Sequence, residues 1–244
     1  MEKVEIIEQL KDDEKYYGDF GKQFFSNSDI NALINNPSDY LKPMGDHINL
    51  LFGRAFHELT MFGKTQHDNF VDASTRNTKI YKDALVESGE AILFLKKEYD
   101  VLHSLVQKFL DNDNVAEILD SPDLVFEAPM IGELTDNKLM WKGKADIVSD
   151  CIYDIKTTSS LSKFPYSSQT YNYDSQAYIY STLFQKPMKF VVIEKGSGSV
   201  GIFETSNEAY ERGREKVEKA EENFLKYFLN KEEEIRNFTK YGRI

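Results

Sequence analysis

Cysteine is all but missing from this chain: Cys151 is the only one among 244 residues. A lone thiol cannot form an internal disulfide or supply a four-thiolate zinc or iron–sulfur centre. A reducing, intracellular setting is therefore the default expectation. Long apolar runs are missing too. The N-terminal MEKVEIIEQLKDDEKYY is charged throughout and holds no apolar signal core, and no stretch approaches membrane-spanning length. The expectation is a soluble cytoplasmic protein with no membrane partner. There is no G-x-x-x-x-G-K-[ST] phosphate loop, so no motor built on that loop is present. Internal repeats and low-complexity linkers are absent as well.

Positive charge is scarce. Lys and Arg number 30 against 41 Asp and Glu, a net charge of −11, whereas a surface that adheres broadly to phosphate is normally basic. Many of the acids crowd the C-terminal stretch, for example Glu215, Glu218, Glu221, Glu222 and Glu232 to Glu234. A local basic groove elsewhere is compatible with that total.

What the chain has in quantity is apolar and aromatic: 41% hydrophobic residues, with 14 Tyr and 17 Phe. This length and composition fit one sizeable domain over 1–244, mainly helical before residue 120, with a sheet and a C-terminal helix after it. Residues 26–42, SNSDINALINNPSDYLK, read as a capped short helix, an Asn-Pro break and a second helical start. Residues 47–62, HINLLFGRAFHELTMF, read as a buried helix. Residues 83–119 give one or two amphipathic helices, with Leu93, Val101, Leu105, Phe109, Val115 and Leu119 as core positions. Then the pattern turns to strands, in VFEAPMIGEL, LMWKGKADIVS and CIYDIKT. A helix over 172–184, the strand KFVVIEK and a long helix from about 207 complete the chain. That last helix carries Tyr210, Gly213, Val217, Ala220, Phe224 and Phe228 as a core stripe. The fold class is α/β, a mixed central β-sheet flanked by helices.

The candidate chemistry lies in one hairpin. If KADIVS and IYDIK pair about Asp150, then Asp146 and Asp154 oppose each other, each four residues from that centre. Directly opposed residues have Cβ atoms about 5 Å apart, and two carboxylates that close repel unless a cation lies between them. Asp154 and Lys156 stand two apart and so share a strand face, with Ile155 on the other. Single charges on a hairpin are usually solvated. Here the neighbours Trp141, Ala145, Ile147, Val148, Ile152 and Ile155 mark the hairpin as buried, which favours a reaction site. Carboxylate oxygens suit Mg²⁺, and a nearby lysine can position or activate a water and stabilise charge on a phosphate.

The order Asp146-x7-Asp154-Ile155-Lys156 resembles the signature of the PD-(D/E)xK nuclease superfamily. More narrowly, the chain is similar to phage-type recombination exonucleases like exonuclease VIII (RecE). The similarity takes in SNSDINALINNPSDYL, GRAFHEL, STRNTK, KGKADIV, YDIKTTSSLSKF, and YNYDSQAYIYSTLF followed by QKPMKFVVI. Two departures stand out: no proline precedes the first acid, and the second acid is Asp rather than the commoner Glu. The resemblance implies Asp146, Asp154, Lys156 and Gln176 as catalytic residues. It implies Asp146, Asp154, Ile155 and His57 at a site for Mg²⁺, with Mn²⁺ as a substitute.

His57 follows Gly53 by four residues, so a glycine there would let the helix lie against the sheet and aim His57 at the acids. Glu58 would point to solvent. Glu127, or in competition Glu133, could complete a second metal position on the preceding strand. Gln176 and Tyr180 form an i, i+4 pair that resembles a Q-x-x-x-Y element, Gln176 bonding a phosphate or orienting Lys156 and Tyr180 stacking on a base or sugar. Arg76, Lys79 and Lys82 fall in an acid-free stretch, residues 73–82, with hydroxyl and amide donors suited to phosphate.

The activity implied is Mg²⁺-dependent exonucleolytic digestion of linear double-stranded DNA, 5′ to 3′, resecting ends for recombination by annealing. A homo-oligomeric ring and a single-strand annealing protein as partner are implied with it. Three alternatives stand beside that one: a structure-specific endonuclease, a non-catalytic DNA-binding or inhibitor module on a nuclease fold, and a monomeric nuclease of the four-cysteine-cluster type. The single cysteine argues against the last.

Overall fold

The computed structural model describes residues 1–43 and 45–240. Ten α-helices and seven strands are found among them. They are α1 (Lys3–Leu10), α2 (Asp13–Tyr17), α3 (Asn27–Asn35), α4 (Ile48–Phe62), β1 (Phe70–Val71), α5 (Lys79–Ser88), β2 (Phe94–Leu95), α6 (Lys96–Leu110) and α7 (Asp113–Leu119). The sheet half follows as β3 (Val125–Glu133), β4 (Met140–Val148), β5 (Ile152–Thr158), α8 (Phe164–Thr170), α9 (Tyr173–Phe184), β6 (Met188–Glu194), β7 (Val200–Glu204) and α10 (Asn207–Phe224). No helix among the described residues is long and apolar enough to cross a membrane.

The central sheet has the order β3-β4-β5-β6-β7, antiparallel except for the parallel pair β5–β6. A parallel pair needs a crossover, and α8 and α9 supply it. Two apolar clusters sandwich the sheet. One joins Trp141, Ala145, Ile152, Phe190 and Val192 to α3, α9 and α10. The other joins Ile147, Ile155, Val191 and Ile193 to α4, α6 and α7. The mixed sheet flanked by helices is therefore as expected from the sequence.

Local chemistry explains the helix ends that set the site. Ser26 and Asp29 form a capping box at the start of α3, with the Ser26 N–H donating to Asp29 Oδ2 at 2.8 Å. The helix ends before Asn36-Pro37, where proline disfavours further helix. Helix α4 ends on Gly63 in the left-handed region, at φ 66°. Its buried Phe52, Ala55, Phe56 and Leu59 recur at three- and four-residue steps, which turns one stripe to the sheet. Gly213 of α10 passes so close to α9 that a Cβ there would lie 2.2 Å from the Asp174 carbonyl oxygen. Only glycine permits that approach.

Several sequence expectations need correction. The helical reading of 83–119 begins earlier, at Lys79, and is interrupted by β2, which pairs in parallel with β1. Val101 is 45% exposed and the core position is Leu102, one residue on. Gly53 has open space where its Cβ would be, so it does not bring α4 to the sheet. Glu58 is half-buried and accepts from the Thr65 hydroxyl and the Gln66 N–H, holding the turn after α4. Glu221, counted above among the crowded acids, is fully buried; it takes the Trp141 indole N–H at 2.6 Å, the Asn137 amide at 2.9 Å and the Thr135 hydroxyl. That acid fastens α10 to β4. Helices α1, α2 and α8 and strand β7 had no clear sequence signal.

Candidate active site

Strands β4 and β5 leave the turn at Asp150 in the register Val148–Ile152 and Ile147–Tyr153, and the pairing stops there. The next opposed pair would be Asp146 and Asp154. Instead of a ladder bond, the Asp146 carboxylate reaches across and takes the Ile155 N–H at 2.7 Å. On the other side of β4, Phe126 pairs with Ile147 and Ala128 with Ala145, so Glu127 falls opposite Asp146, and that pair too is missing from the ladder. Glu127 has φ 49°, a conformation that costs a non-glycine residue free energy and recurs at functional sites. The face alternation of β4 slips at the same place: Trp141 and Ala145 face one cluster, Ile147 the other, and Val148 the first again. Both ladders thus open at one level of the sheet, where three acids stand in a row across three strands.

Helix α4 supplies the base. His57 Nε2 lies 3.1 Å from Glu127 Oε1 and 3.3 Å from Asp146 Oδ1. Burial pulls the imidazole down, but the carboxylates of Asp146 and Glu127 outweigh it and push it up to about 10. Burial alone would raise Asp146; His57, Lys156 and the Ile155 N–H hold it below the usual carboxylate range. His57, Glu127 and Asp146 each offer a ligand atom within 4.8 Å of the others. An imidazole nitrogen with two carboxylates is a donor set that suits Mn²⁺ and, through its oxygens, Mg²⁺. The residues fit a divalent cation.

Asp154 faces the opposite way, toward α9. Its Oδ1 accepts from Gln176 Nε2 at 2.6 Å and its Oδ2 lies 2.6 Å from Lys156 Nζ. Burial pushes Asp154 up, to about 6, against the pull of Lys156 and with the push of Asp146. Lys156 is held protonated: burial would lower it, but Asp154 overrides that and raises it above the ordinary lysine value. Its ammonium sits 5.0 Å from the Tyr173 ring centroid. The Ile155 side chain is buried in the α4-side cluster, so only its main chain faces the acids.

The other expected residues are placed differently. Glu133 pairs with Met140 at the far end of β3, which leaves Glu127 as the acid of that strand in the site. The Gln176 amide donates to Asp154, so it orients that carboxylate. Tyr180 is buried, its ring packed where a Cβ on Gly143 would be, and has no free face for a base. Arg76 is engaged by Glu98 through two bonds, 2.9 and 2.6 Å, which neutralises its charge, while Lys79 and Lys82 are exposed. Burial pushes the Cys151 thiol up to about 11, so it is no nucleophile.

Two contributors escaped sequence reading. Lys144 is buried beside the cluster, its Nζ 4.0 Å from Glu127 Oε2 and paired with Asp13 of α2. Its two-residue spacing from Asp146 was a signal. Tyr173 precedes Gln176 by three residues, the spacing of one helix face.

A helix-flanked mixed sheet whose acids and lysine stand where its central strands part defines the class: a PD-(D/E)xK-type core. The chain belongs to the family described as PDDEXK-like domain of unknown function (DUF3799), which matches residues 24–236. Among curated proteins no sequence matches it. A protein of Eubacterium rectale, provisionally called an exonuclease, has a similar structure at TM-score 0.60 and 13% identity, covering 96% of this chain and 95% of its own. That likeness shows the fold. A phage-related exonuclease from Haemophilus somnus aligns over 73% of this chain and 96% of its own at 14% identity, with a TM-score of 0.31, too low to carry an argument.

Proposed function

We propose that the protein is a divalent-metal-dependent deoxyribonuclease that digests linear double-stranded DNA from its ends. The carrying observation is the single level of the sheet at which Glu127, Asp146 and Asp154 align, with His57 on one side and Lys156 and Gln176 on the other. A cation held by His57, Glu127 and Asp146 would supply Lewis acidity and positive charge at a phosphodiester oxygen. His57 must release its proton before Nε2 can serve as a ligand, and the two carboxylates that face that nitrogen would then be its co-ligands. Lys156, protonated at neutral pH, donates to a water or phosphate oxygen and stabilises negative charge rather than acting as a base. Asp154 and Gln176 hold that ammonium in place. Asp154 stands at the same level of the sheet but faces α9, with its two oxygens engaged by Gln176 and Lys156, so its part is to place the lysine.

Mg²⁺ is the cation proposed, with Mn²⁺ as the substitute favoured by the imidazole ligand. Digestion from 5′ to 3′, resection for recombination by annealing, a homo-oligomeric ring and a single-strand annealing partner belong to the same proposal. They rest on the similarity to phage-type recombination exonucleases. Lys79 and Lys82 are the cations proposed to meet phosphate on the α5 side. The test compares a linear duplex labelled at either 5′ or 3′ ends with a covalently closed circle of the same sequence. Early release of 5′-terminal nucleotides from linear DNA, with the circle intact, is expected. Rapid nicking of the circle would replace this reading with an endonuclease.

A further inference from the structure

We infer that the segment leading out of the site, residues 157–173, is a platform for a single strand of DNA, with Tyr171 stacking on an unpaired base. The inference rests on the nuclease reading and specifies how that site takes its substrate. Between Asp154 and Asp174 lie nineteen residues without a single Asp or Glu, in a chain where acids make up 41 of 244. The stretch begins at the reaction site itself, with Lys156, and carries Lys163 and a dense set of hydroxyl and amide side chains. The next acid-free run, residues 175–193, is largely buried in α9 and β6, so 157–173 is the one of the two that offers a set of exposed side chains, and a nucleic-acid backbone is met most readily where negative charge is lacking.

The rings are arranged as a path. Lys156 Nζ lies 5.0 Å from the centroid of Tyr173, and Tyr173 lies 5.9 Å from that of Tyr171. Tyr173 is half-buried, whereas Tyr171 is 64% exposed and Tyr166, five residues before it in α8, is 80% exposed. Burial thus falls step by step from the catalytic lysine outward. Exposed Ser162, Gln169 and Thr170 stand among the rings as phosphate donors.

The platform is anchored. Phe164 is buried and packs on Tyr173, Phe190 and Phe203. Lys216 of α10 bonds the Gln169 carbonyl at 2.9 Å and the Asn172 side chain at 2.8 Å. The flanking acids are already engaged. Asp174 lies 2.7 Å from Lys216 Nζ and 3.6 Å from Arg212 Nε, and Glu194 accepts from the Leu161 N–H and the Ser197 hydroxyl.

A tyrosine face reads a strand by stacking, and bases inside a duplex are already stacked on both faces, so beyond the terminal pair the ring can engage only an unpaired, frayed or extruded base. Truncating such a ring typically weakens binding by about 5- to 150-fold per base. The proposed occupant is therefore the strand whose phosphate reaches Lys156, unpaired over the nucleotides that cross Tyr173 and Tyr171.

The test is fluorescence anisotropy with a labelled single-stranded oligonucleotide whose phosphorothioate linkages resist hydrolysis, alongside the same oligonucleotide made abasic. Tyr171→Ala should lose about 5- to 150-fold in affinity for the normal strand, and Tyr171→Phe should retain it. The wild type should bind the abasic strand about as weakly as Tyr171→Ala binds the normal one. Equal affinities of wild type and Tyr171→Ala for the normal strand would overturn the inference. Cleavage of linear duplex by the wild type separates the two layers. Cleavage with unaltered Tyr171→Ala binding sinks the platform alone, and Tyr171-dependent binding without cleavage supports the platform and sinks the nuclease. Neither binding nor cleavage by the wild type sinks both.

Discussion

Replacing Asp146 with alanine should destabilise the metal-free protein, although two neighbouring carboxylates lose their mutual repulsion. Repulsion between opposed aspartates, taken from the hairpin register alone, points the other way. The structure decides the sign. Asp146 Oδ2 is the acceptor for the Ile155 N–H at 2.7 Å, in place of a ladder bond, and Oδ1 faces His57 at 3.3 Å. Its side chain is 16% exposed, so water does not replace the acceptor freely. A hydrogen bond to a charged group contributes about 1.5–3 kcal/mol, and an orphaned buried N–H costs about 1–3 kcal/mol. These describe one loss, not two, so Asp146→Ala should cost about 2–3 kcal/mol. That is a large part of a domain's usual 5–15 kcal/mol. Asp146→Asn keeps an amide oxygen for the Ile155 N–H and loses only the ionic part, so it should cost about 1 kcal/mol. Urea denaturation in a chelator at pH 7, with equal m-values, measures both. An alanine variant as stable as the wild type, or equal to the asparagine variant, would refute the reasoning.

Four further outcomes are expected. In the metal-free protein the folded-state value of His57, about 10, lies above its ordinary 6.5, so its contribution to stability is complete below that ordinary value and fades as pH rises through 10. The stability gap between wild type and His57→Ala should close over that window, and calorimetry in buffers of different ionisation enthalpy should show a proton released on Mn²⁺ binding. Gln176→Ala should reduce turnover less than Lys156→Ala and should raise substrate KM little, because Gln176 acts through Asp154; kinetics on linear duplex give the split. Arg76→Ala should lower stability by about 1 kcal/mol through loss of Glu98. The double variant Lys79→Ala/Lys82→Ala should leave stability unchanged and flatten the salt slope of DNA affinity by about 0.9 per lost phosphate contact, read by anisotropy across a salt series.

Much of the hairpin could be read in advance because its controls are local. A turn at Asp150 and the two-residue period of strands suffice to set Asp146 against Asp154 and Lys156 beside Asp154. The opening of the ladders could not be read, because it depends on the Asp146 carboxylate replacing a backbone partner on another strand. Choosing Glu127 over Glu133 needed the register of β3 against β4, which the six-residue connection between them does not fix by its sequence alone. Helical spacing linked Gln176 with Tyr180 but gave no sign that the Tyr180 ring turns into the core against Gly143. Arg76 sits in an acid-free run, yet its partner is Glu98, 22 residues on in the first turn of α6. The core position at Leu102 rather than Val101 is a one-residue phase error, the common cost of reading a helix without its contacts. The long apolar stripes of α4 and α10 were plain because many residues repeat the same period.

The most direct test of the account is a single assay: an end-labelled linear duplex incubated with wild type and with Lys156→Ala, each in Mg²⁺ and in chelator. The account predicts digestion by the wild type in Mg²⁺ only, and none by Lys156→Ala with its circular dichroism unchanged. Digestion in chelator, or an active Lys156→Ala variant, would contradict it.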